Sequence, residues 1–248
     1  MLKNKLKIVA SIEARMTSSR LPGKVLMEAS GKSMLQIMIE RVKRSNMIHD
    51  LVIATTTNSD DDPIIELCKK MKVKYHRGSE PDVLKRVLDA HRMMGSDIIV
   101  ELTGDCPLMD PEVIDKTIKL FLERQPILDC AVSVQVPKRI IPDGMDVEVF
   151  RYKDLAEIEK KISDPYVREH VSPYFYQSGK YKFESLKLPE AWIRPYFLRI
   201  TLDTIDDYKL IKTVHESLSV KDIEYNLEDI LLFFDKHPEL IPKFISED

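Results

Sequence analysis

The stretch Lys7-Ile8-Val9-Ala10-Ser11-Ile12-Glu13-Ala14-Arg15-Met16-Thr17-Ser18-Ser19-Arg20-Leu21-Pro22-Gly23-Lys24 decides how this chain folds. Lys7–Ile12 is a short, mostly apolar run of the length of a buried strand. It stops at Glu13, so the basic residues Met1–Lys7 and the run after them read as a first strand and not as a signal peptide. Ala14–Lys24 then gathers three cations (Arg15, Arg20, Lys24), three hydroxyls (Thr17, Ser18, Ser19) and a glycine. In open α/β sheets, ligands bind beyond the carboxyl ends of strands. A turn there offers backbone N–H groups, and hydroxyls and cations add charge-assisted donors. A triphosphate is a ligand that uses so many donors at once; a solvated basic turn is the competing reading.

Working outward, apolar runs alternate with helical patterns. Leu35, Met38, Ile39 and Val42 share one helical face, and Leu51–Ala54 is the next strand. A helix with Pro63 in its first turn turns Ile64, Leu67, Cys68 and Met71 inward, and Val73–Tyr75 is a short strand. A helix opening at Pro81 buries Val83, Leu84, Val87 and Leu88; Ile98–Val100 is a strand; Pro111 opens a helix carrying Ile114, Ile118, Phe121 and Leu122. Pro suits the first helical position, which has no N–H partner to lose, and Asp62 and Asp110 are the expected caps beside it. Asp146–Phe150, Tyr181–Leu186 and Leu198–Leu202 read as further strands, with a helix from about Ile205 to Leu218. This βα alternation implies an α/β fold: a mainly parallel, mixed sheet with helices on both faces. The expectation is one domain over 1–248, with 135–195 embellishing the sheet as an acceptor-site or dimerisation element.

Composition removes other classes. The 248 residues, 44% hydrophobic and 32% charged, describe a soluble globular chain large enough to need no disulfide or metal staple. No apolar run approaches the ~20 residues of a membrane span. A net charge of −3 leaves no basic surplus for nucleic acid. Cys68, Cys106 and Cys130 form no C-x-x-C pair and read as reduced thiols of a cytoplasmic protein. Gly31-Lys32-Ser33 copies the end of a P-loop, but Leu26 stands where that motif needs its first glycine, so Ser33 reads as a helix N-cap. No G-x-G-x-x-G occurs, and no G-x-S-x-G elbow supplies a serine for a triad with His170.

The acidic positions supply the second half of a site. Asp105, in Thr103-Gly104-Asp105-Cys106-Pro107-Leu108, follows a strand and falls on the same sheet edge as the Arg15–Lys24 loop. Mg²⁺ binds through one or two carboxylates plus phosphate oxygens, and Asp203 is the candidate for the second carboxylate. Asp206 and Asp207 start a helix and read as capping residues. Asp143, Asp146 and Glu148 surround a glycine turn, and Arg168, Glu169 and His170 stand side by side. Both clusters are candidates for acceptor contacts, with surface ion pairing as the alternative.

In order, Ala14-Arg15…Ser18…Arg20-Leu21-Pro22-Gly23-Lys24, Arg77-Gly78-Ser79-Glu80…Asp82-Val83-Leu84, Thr103–Leu108, Asp143-Gly144…Asp146-Val147-Glu148, Arg168-Glu169-His170-Val171 and Asp203-Thr204 resemble the cytidylyltransferases of the spore coat polysaccharide biosynthesis protein F type. That family is similar to the 3-deoxy-manno-octulosonate cytidylyltransferases. The resemblance covers roughly residues 7 to 215 and implies a nucleotide-diphospho-sugar transferase fold, Rossmann-like with three layers. It implies CTP with Mg²⁺, phosphates on Arg15, Arg20 and Lys24, and metal on Asp105 and Asp203. It also implies nucleotide contacts at Ala14, Ser18, Ser19, Arg77 and Asp82. Glu101 departs from the pattern, standing where the resemblance leads one to expect Arg.

The reading is a nucleotidyltransferase: CMP from CTP is joined to a sugar or sugar acid for surface polysaccharide, pyrophosphate leaves, and Lys24, Arg15 and Asp105 are the catalytic candidates. The expected partners are CTP and the acceptor, with no nucleic acid and no membrane, and a homodimer is compatible with the chain. A glycosyltransferase on the same fold and a non-catalytic nucleotide-binding module stay open as alternatives.

Overall fold

In the computed structural model, residues 6–136, 138–220 and 224–241 are described; the basic residues Met1–Lys5 lie outside them. Alternating burial builds the sheet. The first strand, β1 (Ile8–Glu13), turns Ala10 and Ile12 toward one core and Val9 toward the other. After a hairpin of β2 (Glu28–Ala29) and β3 (Lys32–Ser33) come α1 (Met34–Val42), β4 (Asp50–Thr56), α2 (Asp62–Met71) and β5 (Lys74–Gly78). Then follow α3 (Val83–Met94), β6 (Ile98–Thr103), α4 (Pro111–Glu123) and β7 (Cys130–Val132). The second half adds β8 (Glu148–Arg151), α5 (Tyr152–Lys161), α6 (Pro165–His170), α7 (Pro173–Gln177), β9 (Phe183–Ser185), α8 (Ile205–Leu218) and α9 (Leu227–Lys236).

Seven strands form one sheet in the order β5-β4-β1-β6-β8-β7-β9. Only the β6–β8 and β8–β7 pairings are antiparallel. One face is covered by α1, α2, α4, α8 and α9, whose Met38, Ile64, Ile118, Ile211 and Phe234 join the larger core. The other face carries α3, α5, α6 and α7, with Leu88, Leu155, Val167 and Phe175. The order reverses at β1, which has β4 on one side and β6 on the other, so the loops after β1 and β6 flank the crevice where such sheets bind ligands.

Several expected boundaries shift for local reasons. Ser33 and Asp110 cap α1 and α4 as read, Asp110 accepting from the N–H of Glu112 and Val113. Asp62 is not a cap but the first helical residue of α2; Asp61 precedes it, and its carboxylate is engaged elsewhere. The helix expected at Pro81 begins at Val83 because Asp82 caps it, accepting from the Lys85 N–H at 3.1 Å. Thr204 and Asp207 form a reciprocal capping box on α8. Leu198–Leu202 is no strand of the sheet: it makes a single bridge, Arg199 to Asp143, and buries Leu198, Ile200 and Leu202 in the larger core.

Candidate active site

The loop after β1 is closed on itself. The Gly23 N–H donates to the Met16 carbonyl at 2.8 Å, and Gly23 sits at φ +74°, where a side chain would be strained. Asp61, fully buried, holds the other end by accepting from the Met16 N–H at 2.7 Å, while its second oxygen takes the Thr55 hydroxyl and the Thr56 N–H. Sequence reading passed over Asp61; its only signal was an acid next to a helix start.

Gly104 brings β6 against β1. Its N–H donates to the Glu13 carbonyl at 2.9 Å, and a Cβ there would lie 2.4 Å from that oxygen. The turn then carries Asp105, whose carbonyl accepts from the Leu202 N–H at 2.7 Å. This bond draws the 198–204 segment in and sets Asp203 beside Asp105. The Lys24 ammonium is 3.0 Å from the Asp203 carboxylate and 3.9 Å from that of Asp105. Arg20 reaches Asp203 at 2.7 Å, and Arg199 grips its other oxygen.

These residues line an open cleft of about 840 Å³. Ala14, Arg15, Ser18, Ser19, Arg20 and Lys24 form one wall, with Asp105 and Asp203 at its end. Opposite stand Glu80, Pro81, Val83 and, from α6, Arg168, Glu169 and His170. Arg15 spans the cleft to Glu80 at 3.1 Å, an exposed pair that an arriving anion can displace. Glu169 and His170 are exposed, His170 lying against the Tyr166 ring.

Other sequence candidates are not brought to the cleft. Arg77 is spent locally, donating to the carbonyls of Thr56 and Asn58 and pairing with Asp62, so it clamps the β4–α2 turn. Asp82 caps α3 and pairs with Arg168, which also meets Glu159 at 3.4 Å. Arg168 therefore fastens α6 to α3 and is not a free cation for an acceptor. Asp146 is held by both arms of Arg139, and Asp143 lies between Arg139 and Arg199.

Glu148 belongs to a carboxyl row that sequence reading did not assemble. Register places Glu101 opposite both Ser11 of β1 and Glu148 of β8, and Glu13 follows on the same face of β1. Burial pushes the Glu13 carboxyl up to about 7 against the opposing pull of Arg86, and the Glu148 carboxyl to about 8, with Asp146 adding to the burial. Glu101, 2% exposed, is raised well above the ordinary carboxylate range by burial and by Glu13. Groups with raised acid pKa values bind protons in the folded chain that the unfolded chain has released. Stability therefore falls as pH rises from about 4.5 to about 8. The melting temperature of Glu148→Gln should decline less over this interval than that of the wild type; parallel curves would remove Glu148 as a cause.

A mainly parallel sheet with a closed, cationic loop at its switch point and paired aspartates beside the loop's lysine defines a nucleotide-binding enzyme of the nucleotidyltransferase type. The chain belongs to the cytidylyltransferase family, whose family model matches residues 9–228. It is 30% identical to the spore coat polysaccharide biosynthesis protein SpsF of Bacillus subtilis, covering 94% of this chain and 95% of that one. It is 32% identical to the 3-deoxy-manno-octulosonate cytidylyltransferase of Geobacter sulfurreducens, covering 91% and 98%. A solved cytidylyltransferase from Leptospira borgpetersenii serovar Hardjo-bovis superposes with a TM-score of 0.87 at 34% identity, covering 98% of this chain and 100% of that one. Among the described residues no helix is long and apolar enough to cross a membrane.

Proposed function

We propose that this cytidylyltransferase moves CMP from CTP to a hydroxyl of a sugar acid, with Mg²⁺, and that the product feeds surface polysaccharide. The carrying observation is the convergence of Lys24, Arg20, Asp105 and Asp203 at the end of the loop. Arg15, Arg20 and Lys24 face the triphosphate, and Ser18 and Ser19 add hydroxyl donors. The acceptor hydroxyl attacks the α-phosphorus as the bond to pyrophosphate breaks, and Lys24 neutralises charge gathering on the phosphate oxygens. The protein's part is mostly alignment of the two substrates along the cleft.

The residues fit a magnesium ion. Two carboxylates within 4 Å of one ammonium mark a locus already suited to positive charge. Among the described residues no group of three metal-binding side chains occurs, so phosphate oxygens would complete the coordination. Asp105 and Asp203 would hold the ion, which when bound supplies positive charge at the triphosphate. Three buried free cysteines support action in the reducing cytoplasm, where CTP is found.

The test is pyrophosphate release from CTP, GTP, UTP and ATP with Mg²⁺ and a panel of sugar acids, beside melting-temperature shifts for each nucleotide. CTP should give the largest shift and support turnover, and Asp105→Asn should abolish turnover while remaining folded. No turnover with any pair, or full turnover in Asp105→Asn, would overturn the reading.

A further inference from the structure

Arg199 holds the oxygen of Asp203 that Lys24 does not. Its three guanidinium nitrogens go to three different acids. Nη2 donates to Asp203 Oδ2, Nη1 donates to Asp207 Oδ1 at 2.9 Å, and Nε lies 3.4 Å from Asp143 Oδ2. Each nitrogen is thus committed to a carboxylate of this chain. The backbone around Arg199 is fixed as well. The Asp143 N–H donates to the Leu198 carbonyl at 2.9 Å, and the Ile200 N–H donates to the Asp143 carbonyl at 2.8 Å. Asp207, besides pairing with Arg199, accepts from the Asp203 N–H at 3.1 Å. Arg199 therefore grips the Asp203 side chain while Asp207 grips its backbone.

The two oxygens of Asp203 answer to different kinds of partner. Oδ1 meets Lys24 at 3.0 Å and Arg20 at 2.7 Å. Both cations belong to the loop that faces the triphosphate, and the Arg20 side chain is 63% exposed. An arriving triphosphate competes for both of them and frees Oδ1. Oδ2 keeps Arg199, whose side chain is only 22% exposed and whose other nitrogens are anchored by Asp143 and Asp207. A carboxylate tied down through one oxygen presents the other in a fixed direction. A partner of this kind behind a metal ligand orients it, and its loss typically costs about 10- to 100-fold in metal affinity. The planar fork of an arginine can hold three acids at once in set directions; the ammonium of a lysine is a point charge without them.

We propose that Arg199 is a positioning residue: it holds Asp203 by Oδ2 so that Oδ1 is aimed at the magnesium locus beside Asp105 once CTP has drawn Lys24 and Arg20 away. The inference rests on the transferase reading above and adds to it the residue that keeps Asp203 in place after its loop cations leave it.

Mn²⁺ is the probe, titrated by electron paramagnetic resonance into the whole protein saturated with CTP and without acceptor, beside CTP alone as the reference. Arg199→Lys keeps the charge and removes the fork. It should weaken Mn²⁺ binding about 10- to 100-fold and leave the Kd for CTP without divalent metal, read by calorimetry, within about twofold. Arg199→Met removes the charge too, and Mn²⁺ should again bind more weakly. A purely electrostatic role predicts the opposite sign, since deleting a cation beside Asp203 favours an arriving metal ion. A purely structural role lowers the melting temperature and leaves the Mn²⁺ affinity of the folded protein unchanged. Unchanged or tighter Mn²⁺ binding in Arg199→Lys overturns the inference, and this variant decides alone if Arg199→Met does not fold. If the wild type holds Mn²⁺ no more tightly than CTP alone does, the metal-dependent transferase reading falls first, before any variant is made.

Discussion

Lys24→Met should lower kcat/KM for CTP by about 10²–10³, the usual cost of deleting one donor aimed at charge that develops in the transition state. The substitution keeps most of the side chain's length and removes its cation. The fold should tolerate it. Asp203 loses one of three cationic partners but keeps Arg20 at 2.7 Å and Arg199. The check is therefore a pair of measurements, pyrophosphate release and melting temperature. A large fall in rate with a nearly unchanged melting temperature is the expected result. A tenfold or smaller loss of rate would mean that Lys24 is an ordinary partner of Asp203 and has no special hold on the phosphates.

The second large effect is structural. In Gly104→Ala the new Cβ would meet the Glu13 carbonyl at 2.4 Å and the Ala14 Cβ at 3.3 Å. The first is backbone within a five-times-repeated parallel pairing of β1 with β4, and it has nowhere to go. The ends of β1 and β6 must part, and these ends carry Ala14 on one side and Asp105 on the other. Overpacking of this kind costs about 1–3 kcal/mol, or roughly 2–12 °C of melting temperature for a chain of this size. CTP binding should fall as well, because the phosphate loop and Asp105 lose their spacing. Gly31→Ala is the contrast: its Cβ would meet no atom within 4 Å, so it carries only the backbone strain of φ +73° and should leave CTP binding unchanged. An equal fall in CTP binding in the two variants would contradict the account of Gly104.

The legible part of the molecule was the part written in consecutive residues. Val9 against Ala10 and Ile12 announces a strand buried on both faces, and Ser33 and Asp110 announce helix starts through bonds to the N–H groups two or three residues on. The phosphate loop is legible for the same reason, since Arg15, Ser18, Arg20 and Lys24 lie within ten residues of each other and any fold of that loop keeps them together. Local pattern misleads where a side chain answers to a distant partner. Arg77 carries the charge of a phosphate ligand, but Asp62 and two carbonyls of the neighbouring turn claim it. Arg168 is claimed by Asp82, 86 positions away. Leu198–Leu202 has the alternation of a strand, yet β8 and β7 already continue the sheet, and the segment instead delivers Asp203 to Lys24 across 179 positions.

The sequence by itself determined the α/β alternation, the cationic loop after the first strand and the acids at strand ends, because periodicity, capping and short-range charge are properties of neighbours. Only the tertiary structure decided which charges stay available. Strand register set Glu101 beside Glu148 and one pleat from Glu13, and the packing of α3 carried Arg86 to the cleft. The physical reason is that a charge is defined by what neutralises it. For Arg168 and Asp203 those partners, Asp82 and Lys24, come from elements far apart in the chain, brought together by the burial of the sheet's two faces.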